Sequence, residues 1–182
     1  CQSYDSKLTD IPVTAGTTYL IRVAGWGAGD QGPGTLTITP GACPTPDDCV
    51  GAAVVVDGAN AYDTTGYTNS PEPAPTGCTN FFGNNANDGW YAWTAGATTC
   101  SVTVETCDPA GFDTDISMYD GGCGALNLLA CDGDGGDAAG CQSYDSKLTD
   151  IPVTPGTTYL IRVAGWGAGD AGPGTLTITP GA

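Results

Sequence analysis

The chain contains no histidine, and only four lysines and arginines stand against 20 aspartates and glutamates. Without histidine there is no imidazole for general-base work near neutral pH and none to bind zinc. No Gly-x-Ser-x-Gly sequence marks a nucleophilic serine. The formal net charge is −16, and no basic stripe exists to displace counterions from phosphate, so nucleic acid is not expected as a partner. Anionic membrane surfaces are disfavoured for the same reason. No apolar run approaches the roughly 18 residues of a spanning helix, so membrane insertion is not expected. No signal peptide is visible, as would be true of an internal stretch of a longer secreted protein. An Asn-x-Ser/Thr sequon is missing too, which argues against N-glycosylation. Helix formers are scarce: one methionine, two glutamates (Glu72 and Glu105), two lysines and two arginines.

What is present is 29 glycines, 13 prolines, nine cysteines and many Thr and Val. Hydrophobic runs are short, with turn signals every 8–12 residues or so, a pattern that predicts an all-β sandwich or barrel. Strands are expected at 52–56, 89–95, 100–106, 115–120, 126–130, 148–153, 158–164 and 174–179. In 100–106 the alternation is strict, with Cys100, Val102 and Val104 on one face and Ser101, Thr103 and Glu105 on the other. About eight strands in one unit suit a two-sheet sandwich of jelly-roll type. Between them, residues 64–77 are rich in Thr, Ser, Asn and Pro and read as loop.

Residues 1–42 return at 141–182 with two changes, Ala15 to Pro155 and Gln31 to Ala171. A period of about 140 residues is a domain, not a solenoid turn of about 20–50 residues. The chain therefore reads as the C-terminal strands of one repeat (1–42) followed by one complete repeat (43–182), a window on a longer array. Cys43-Pro44-Thr45-Pro46-Asp47-Asp48-Cys49 is the junction, short and stiffened by two prolines. Only the last three strands of the repeat lie in 1–42, and three strands with one apolar face do not stand alone in water.

The complete repeat holds eight cysteines: Cys43, Cys49, Cys78, Cys100, Cys107, Cys123, Cys131 and Cys141. An even count in such a chain predicts four disulfides and an oxidising, extracellular or cell-surface location. Eight cysteines allow on the order of 100 pairings. Short loops between sequence neighbours are expected, with Cys131–Cys141 first because it would close an acidic loop. Zinc is the weaker alternative, since no paired Cys-x-x-Cys occurs.

That loop, Cys131-Asp132-Gly133-Asp134-Gly135-Gly136-Asp137 and on to Cys141, places carboxylates at near-alternate positions between glycines. Such a loop can wrap oxygens around a hard cation, and calcium is the expected cofactor. It lacks the spacing and terminal Glu of an EF-hand. The competing reading is a solvated turn in which Asp caps backbone amides.

Several stretches occur in a telling order: Gly89-Trp90-Tyr91-Ala92-Trp93-Thr94-Ala95, Val102 to Cys107, Phe112-Asp113-Thr114-Asp115-Ile116-Ser117-Met118-Tyr119-Asp120, Ala130-Cys131-Asp132-Gly133-Asp134, and Gly156 to Gly165. Over about residues 47–180 the set resembles the bacterial pre-peptidase C-terminal domain and its cysteine-rich relatives in large secreted proteins. The resemblance implies an accessory jelly-roll sandwich, often strung in arrays, with calcium binding known among its members. It places Asp113 and Asp115 near the acidic loop, making Asp113, Asp115, Asp132, Asp134 and Asp137 the candidate ligands. It also suggests a Cys49–Cys78 disulfide. The chain departs from the family in having no protease segment, and Asp132-Gly133-Asp134 where Asn-Asp-Asp is common.

Trp26/Trp166, Trp90 and Trp93 could form a sugar-stacking platform, but Trp90 and Trp93 have opposite parity on one strand, so at least one belongs to the core. Lys7/Lys147 is expected to be solvent-exposed. A paired-carboxylate hydrolase has no support beyond acidity, because the acids sit in Gly-rich turns and only Glu105 lies mid-strand. The sequence thus points to a non-catalytic, extracellular structural repeat that self-associates into a filament, stalk or surface fibre through adjacent repeats or neighbouring chains. The alternative is an accessory module of a secreted enzyme or adhesin that binds polysaccharide or protein.

Overall fold

The computed structural model describes the chain apart from residues 1–5, 10, 14–16, 42, 43, 81, 108–110, 137–140 and 182. Cys43 and Asp137 therefore lie outside the described residues. The chain divides into two units, Cys1–Ala42 and Cys43–Ala182.

The described residues of the second unit form nine strands: β1 (Ala53–Val54), β2 (Gly58–Asp63), β3 (Ala86–Thr94), β4 (Ser101–Glu105), β5 (Thr114–Asp120), β6 (Asn127–Asp132), β7 (Lys147–Pro152), β8 (Thr158–Gly165) and β9 (Pro173–Gly181). They make a five-stranded sheet, β1-β3-β8-β5-β6, and a four-stranded sheet, β2-β9-β4-β7. Strand β4 shows the expected alternation, with Val102 and Val104 fully buried between half-exposed Ser101, Thr103 and Glu105. Trp93, Ile116, Ile161, Val163, Leu176 and Ile178 meet these valines in one core between the sheets. The fold is the all-β sandwich that the sequence predicts.

Strand β2 escapes a reading of the sequence. Gly-Ala-Asn-Ala-Tyr-Asp is poor in strand formers. It forms because β9 offers a full row of partners, from Gly58↔Ile178 to Asp63↔Pro173, and because Tyr62 is buried against the core.

The five-stranded sheet is covered on both faces. Trp90 and Trp93 point to opposite faces, and both are buried, at 0% and 1% exposure. Trp90 joins a second cluster with Cys49, Tyr119 and Leu160 on the outer face. The chain around Pro46 covers it, accepting a hydrogen bond from the Trp90 backbone N–H at 2.7 Å. So does the proline-rich loop 69–75, held by a buried arginine.

Arg162 on β8 is 2% exposed. Its Nε donates to Asp88 Oδ2 at 2.9 Å, and its Nη1 to the carbonyls of Glu72 and Pro73 at 3.3 Å each. The guanidinium lies 5.2 Å from the centre of the Trp90 ring. Asn85, with its amide oxygen facing the guanidinium, accepts from Nη1 at 2.8 Å. Asp88 also accepts from the Ser70 N–H at 2.8 Å and from Trp90 Nε1 at 2.8 Å.

Among the described residues three disulfides staple the unit: Cys49–Cys123, Cys78–Cys131 and Cys107–Cys141, at separations of 74, 53 and 34 residues. The expected Cys131–Cys141 and Cys49–Cys78 pairs do not form, nor are the loops short. Cys141 lies beside Cys107 because β4 and β7 pair, bringing the ends flanking Glu105↔Lys147 together. Cys131 is on β6, where a bridge to Thr79 sets it against Cys78. Cys100 is an exposed free thiol.

The first unit is different. Its described residues form no strand, and all are exposed. The same residues in the second unit build β7, β8 and β9. Leu20 is 98% exposed and Leu160 8%; Ile38 is 66% exposed and Ile178 1%.

Removing one partner of a buried ion pair costs about 3–5 kcal/mol, because the other charge stays buried. Arg162→Ala should therefore destabilise the sandwich by that amount, and Arg22→Ala, at the exposed copy, by less than about 0.5 kcal/mol. Denaturant unfolding of the two variants checks this; equal effects would contradict the assignment.

Candidate functional site

Antiparallel pairing of β3, β8, β5 and β6 brings four loops to one end of the sandwich. These are the chain at Gly83–Asn85 before β3, Asp113 before β5, the turn with Asp134 after β6, and the Gly-rich turn with Asp170 between β8 and β9. Asp115 is fully buried at the start of β5. Its carboxylate accepts from the Gly83 N–H at 3.0 and 3.1 Å and from the Asn85 N–H at 3.2 Å. Burial nonetheless pushes its pKa up to about 6 against those bonds, and the neighbouring charges of Asp113 and Asp134 add to the rise. Asp113 is raised to about 6 as well, by burial first and then by Asp134 and Asp170. Its Oδ1 is buried without a hydrogen-bond partner among the described residues.

Asp132 plays another part. Its Oδ1 accepts from Thr79 Oγ1 at 3.0 Å and from Asn80 Nδ2. Its Oδ2 accepts from the Gly135 N–H at 2.7 Å and the Lys147 N–H at 3.0 Å. A carboxylate has about four acceptor positions, and all are used. Asp132 thus organises the loop and has no lone pair to spare for a cation.

Of the five candidate ligands, Asp113, Asp115 and Asp134 come within electrostatic reach of one another, Asp132 is committed to its loop, and Asp137 lies outside the described residues. Asp170 joins the group without having been singled out in the sequence. The available signal was an aspartate ending the run Gly165-Trp166-Gly167-Ala168-Gly169. It shapes that turn by accepting from the Gly167 N–H at 3.0 Å. Among the described residues, one trio of metal-type donor atoms lies within 4.8 Å of one another: Cys107, Cys141 and Asp145. Its two sulfurs are bonded to each other, so they offer no thiolate and give zinc no site.

The aromatic platform does not exist, because Trp90 and Trp93 are both core residues. Trp166 is 46% exposed, and its backbone ties two loops of the acidic end: its N–H donates to Asp113 O at 3.0 Å, and its carbonyl accepts from the Asn84 N–H at 2.8 Å. Lys147 is not free in solvent. It pairs with Glu105 at 2.6 Å, across the β4–β7 ladder, with both side chains about three-quarters shielded (26% and 21% exposed).

No family model and no curated protein matches the sequence. Among solved structures, the chain is similar to the pre-peptidase C-terminal domain of a collagenase from Bacillus anthracis, with 9% identity and a TM-score of 0.43 over 70% of this chain and 94% of that one. No helix among the described residues is long and apolar enough to cross a membrane.

Asp113 and Asp115 bind protons at about pH 6 in the folded chain, against a reference value of 3.8. Between those values the folded state holds more protons than the unfolded, so stability falls as pH rises through the window. In metal-free buffer the melting temperature should be higher near pH 5 than near pH 7, and Asp113→Asn should reduce the difference. Thermal melts across that range decide it; an unchanged slope in the variant would show that the repulsion lies elsewhere.

Proposed function

We propose that the chain is part of an extracellular structural protein whose tandem β-sandwiches build a filament, stalk or surface fibre. One observation carries this reading. A 42-residue sequence supplies β7, β8 and β9 to the two sheets of the second unit, yet in the first unit its described residues are strandless and exposed. An apolar face of that kind needs a framework like residues 43–140 to cover it, supplied by a preceding repeat or by a neighbouring chain through strand complementation. A near-exact repeat of a whole domain multiplies length and valency rather than chemistry. Disulfides of the kind found here form and persist in oxidising, extracellular surroundings.

Calcium is the proposed cofactor, held at the acidic end by Asp113, Asp115 and Asp134, with Asp170 close by. Carboxylates that raise one another's pKa repel when ionised, and a hard divalent cation would relieve that repulsion while drawing the β5, β6 and β8–β9 loops together. Asp132 keeps the loop in shape from behind.

Placing the sequence of residues 43–140 ahead of residue 1 should turn 1–42 into a protected layer. Amide exchange at residues 18–23 and 35–39 should slow to match 158–163 and 175–179. Micrographs of the native secreted material should show filaments with a regular axial repeat. Separate particles, with 1–42 still exchanging freely, would favour an accessory binding module instead.

For calcium, chelation should lower the melting temperature of the wild-type chain, by the equivalent of about 2.7 kcal/mol from a hundredfold excess over Kd. Asp113→Asn with Asp134→Asn should abolish that shift. Asp132→Asn should weaken the loop equally with and without chelator. If chelator shifts neither wild type nor the double variant, the aspartates are turn residues and no more.

A further inference from the structure

The three disulfides use six of the eight cysteines in the repeat and leave Cys43 and Cys100. Cys100 is exposed and begins the approach to β4. Its backbone N–H donates to Gly181 O at 3.2 Å, and the next residue, Ser101, is the ladder partner of Gly181. The chain leaving β9 therefore passes directly beside Cys100. The repeat supplies an independent observation. Gly181 is the copy of Gly41, and Gly41 is followed by Ala42 and then Cys43. Wherever the array continues past Ala182 in the same register, a cysteine stands two residues beyond Gly181. By contrast, Pro46, three residues after Cys43, is fixed to Trp90 on the outer face of the other sheet.

We propose that Cys100 forms a disulfide with the first cysteine of the following repeat, so that each sandwich is closed by a residue of its successor's junction. The inference rests on the tandem array, but not on calcium or on filament formation. Formation is thiol–disulfide exchange with a low-molecular-weight disulfide. The Cys100 thiolate attacks it, giving a mixed disulfide and one thiolate. The second cysteine's thiolate then attacks the Cys100 sulfur and expels the other thiolate. The two cysteines lose two electrons, the reagent is reduced to two thiols, and the two released protons return to them. Cys49, at the other end of the junction, is bonded to Cys123 of its own sandwich. The junction Pro44–Asp48 is then five residues held by a disulfide at each end. Tension along the array would pass from one cross-linked sandwich to the next with no strand end free to peel.

The test uses the whole chain extended by Cys-Pro-Thr-Pro-Asp-Asp, the sequence of residues 43–48, and oxidised with a glutathione redox couple. Trypsin, applied without reduction, cuts after Lys7, Arg22, Lys147 and Arg162. The expected product joins peptide 23–147 to the C-terminal peptide that begins at Val163, whose one cysteine is the added one. That link should persist in Cys43→Ser and vanish in Cys100→Ser, with the other three disulfides retained in both variants. Native alkylation should label Cys100 in the original chain and lose that label in the extended one. An alkylated Cys100 in the folded extended chain, or a Cys43–Cys100 bond inside peptide 23–147, overturns the proposal. If the link forms while 1–42 stays unprotected behind a supplied framework, the disulfide stands and the completion of 1–42 by that framework fails.

Discussion

The outer face of the five-stranded sheet depends on one buried ion pair. Arg162 and Asp88 are almost wholly removed from water, at 2% and 0% side-chain exposure. Neither charge is tolerable there alone, and the pair is tolerable only because further hydrogen bonds satisfy both groups. Those bonds come from the irregular segment around Ser70, Glu72 and Pro73, and from the indole of Trp90 on β3. The proline-rich loop is thus held by the charge it helps to bury. With it in place, Trp90, Tyr119 and Leu160 form a second core where an ordinary sandwich would present a wet face.

The duplication separates local propensity from context more cleanly than a substitution would. Leu160 and Leu20 have the same neighbours in sequence, as do Ile178 and Ile38, so intrinsic strand preference cannot explain why one member of each pair is buried and the other bare. What differs is the presence of β3, β4 and β5 to pair with. Strand preference amounts to fitness for a pleated, half-buried surface, and without that surface the preference has nothing to act on. Arg22 shows the same dependence in charge: its counterpart's partner, Asp88, belongs to the framework and not to the duplicated segment.

Much of the sandwich was legible because alternation is written into the sequences of β4 and β5, and because β8 is a short apolar run bounded by turn signals. Strand β2 was not, since its pairing is dictated by β9, which lies more than a hundred residues away in the sequence, as the Gly58↔Ile178 register shows. The disulfides were misread for a related reason. Proximity in sequence suggested Cys131 with Cys141, whereas strand pairing across the sheets decides which sulfurs meet. The acidic end was legible in part. Asp134 was marked by the spacing of carboxylates in the Gly-rich loop, and Asp113 and Asp115 by the family resemblance, while the commitment of Asp132 to four donors and the approach of Asp170 follow from loop contacts that no periodicity encodes.

For the tandem array proposed above, these features bear on resistance to pull. In the chain-entropy account, loops of 34–74 residues contribute about 4 kcal/mol each, more than short loops would. The staples tie the segments up to Cys141 to one another, whereas β7, β8 and β9 follow the last of these cysteines and are held by strand pairing and packing. β9 lies between β2 and β4 inside its sheet, and so is held by ladders on both sides to the point where the chain leaves. A domain meant to bind a ligand would gain from a cleft and mobile loops. This one places its prolines, disulfides and buried charge pair where they remove freedom from the loops, and much of its exposed apolar surface lies on the segment whose twin supplies strands to both sheets of a sandwich.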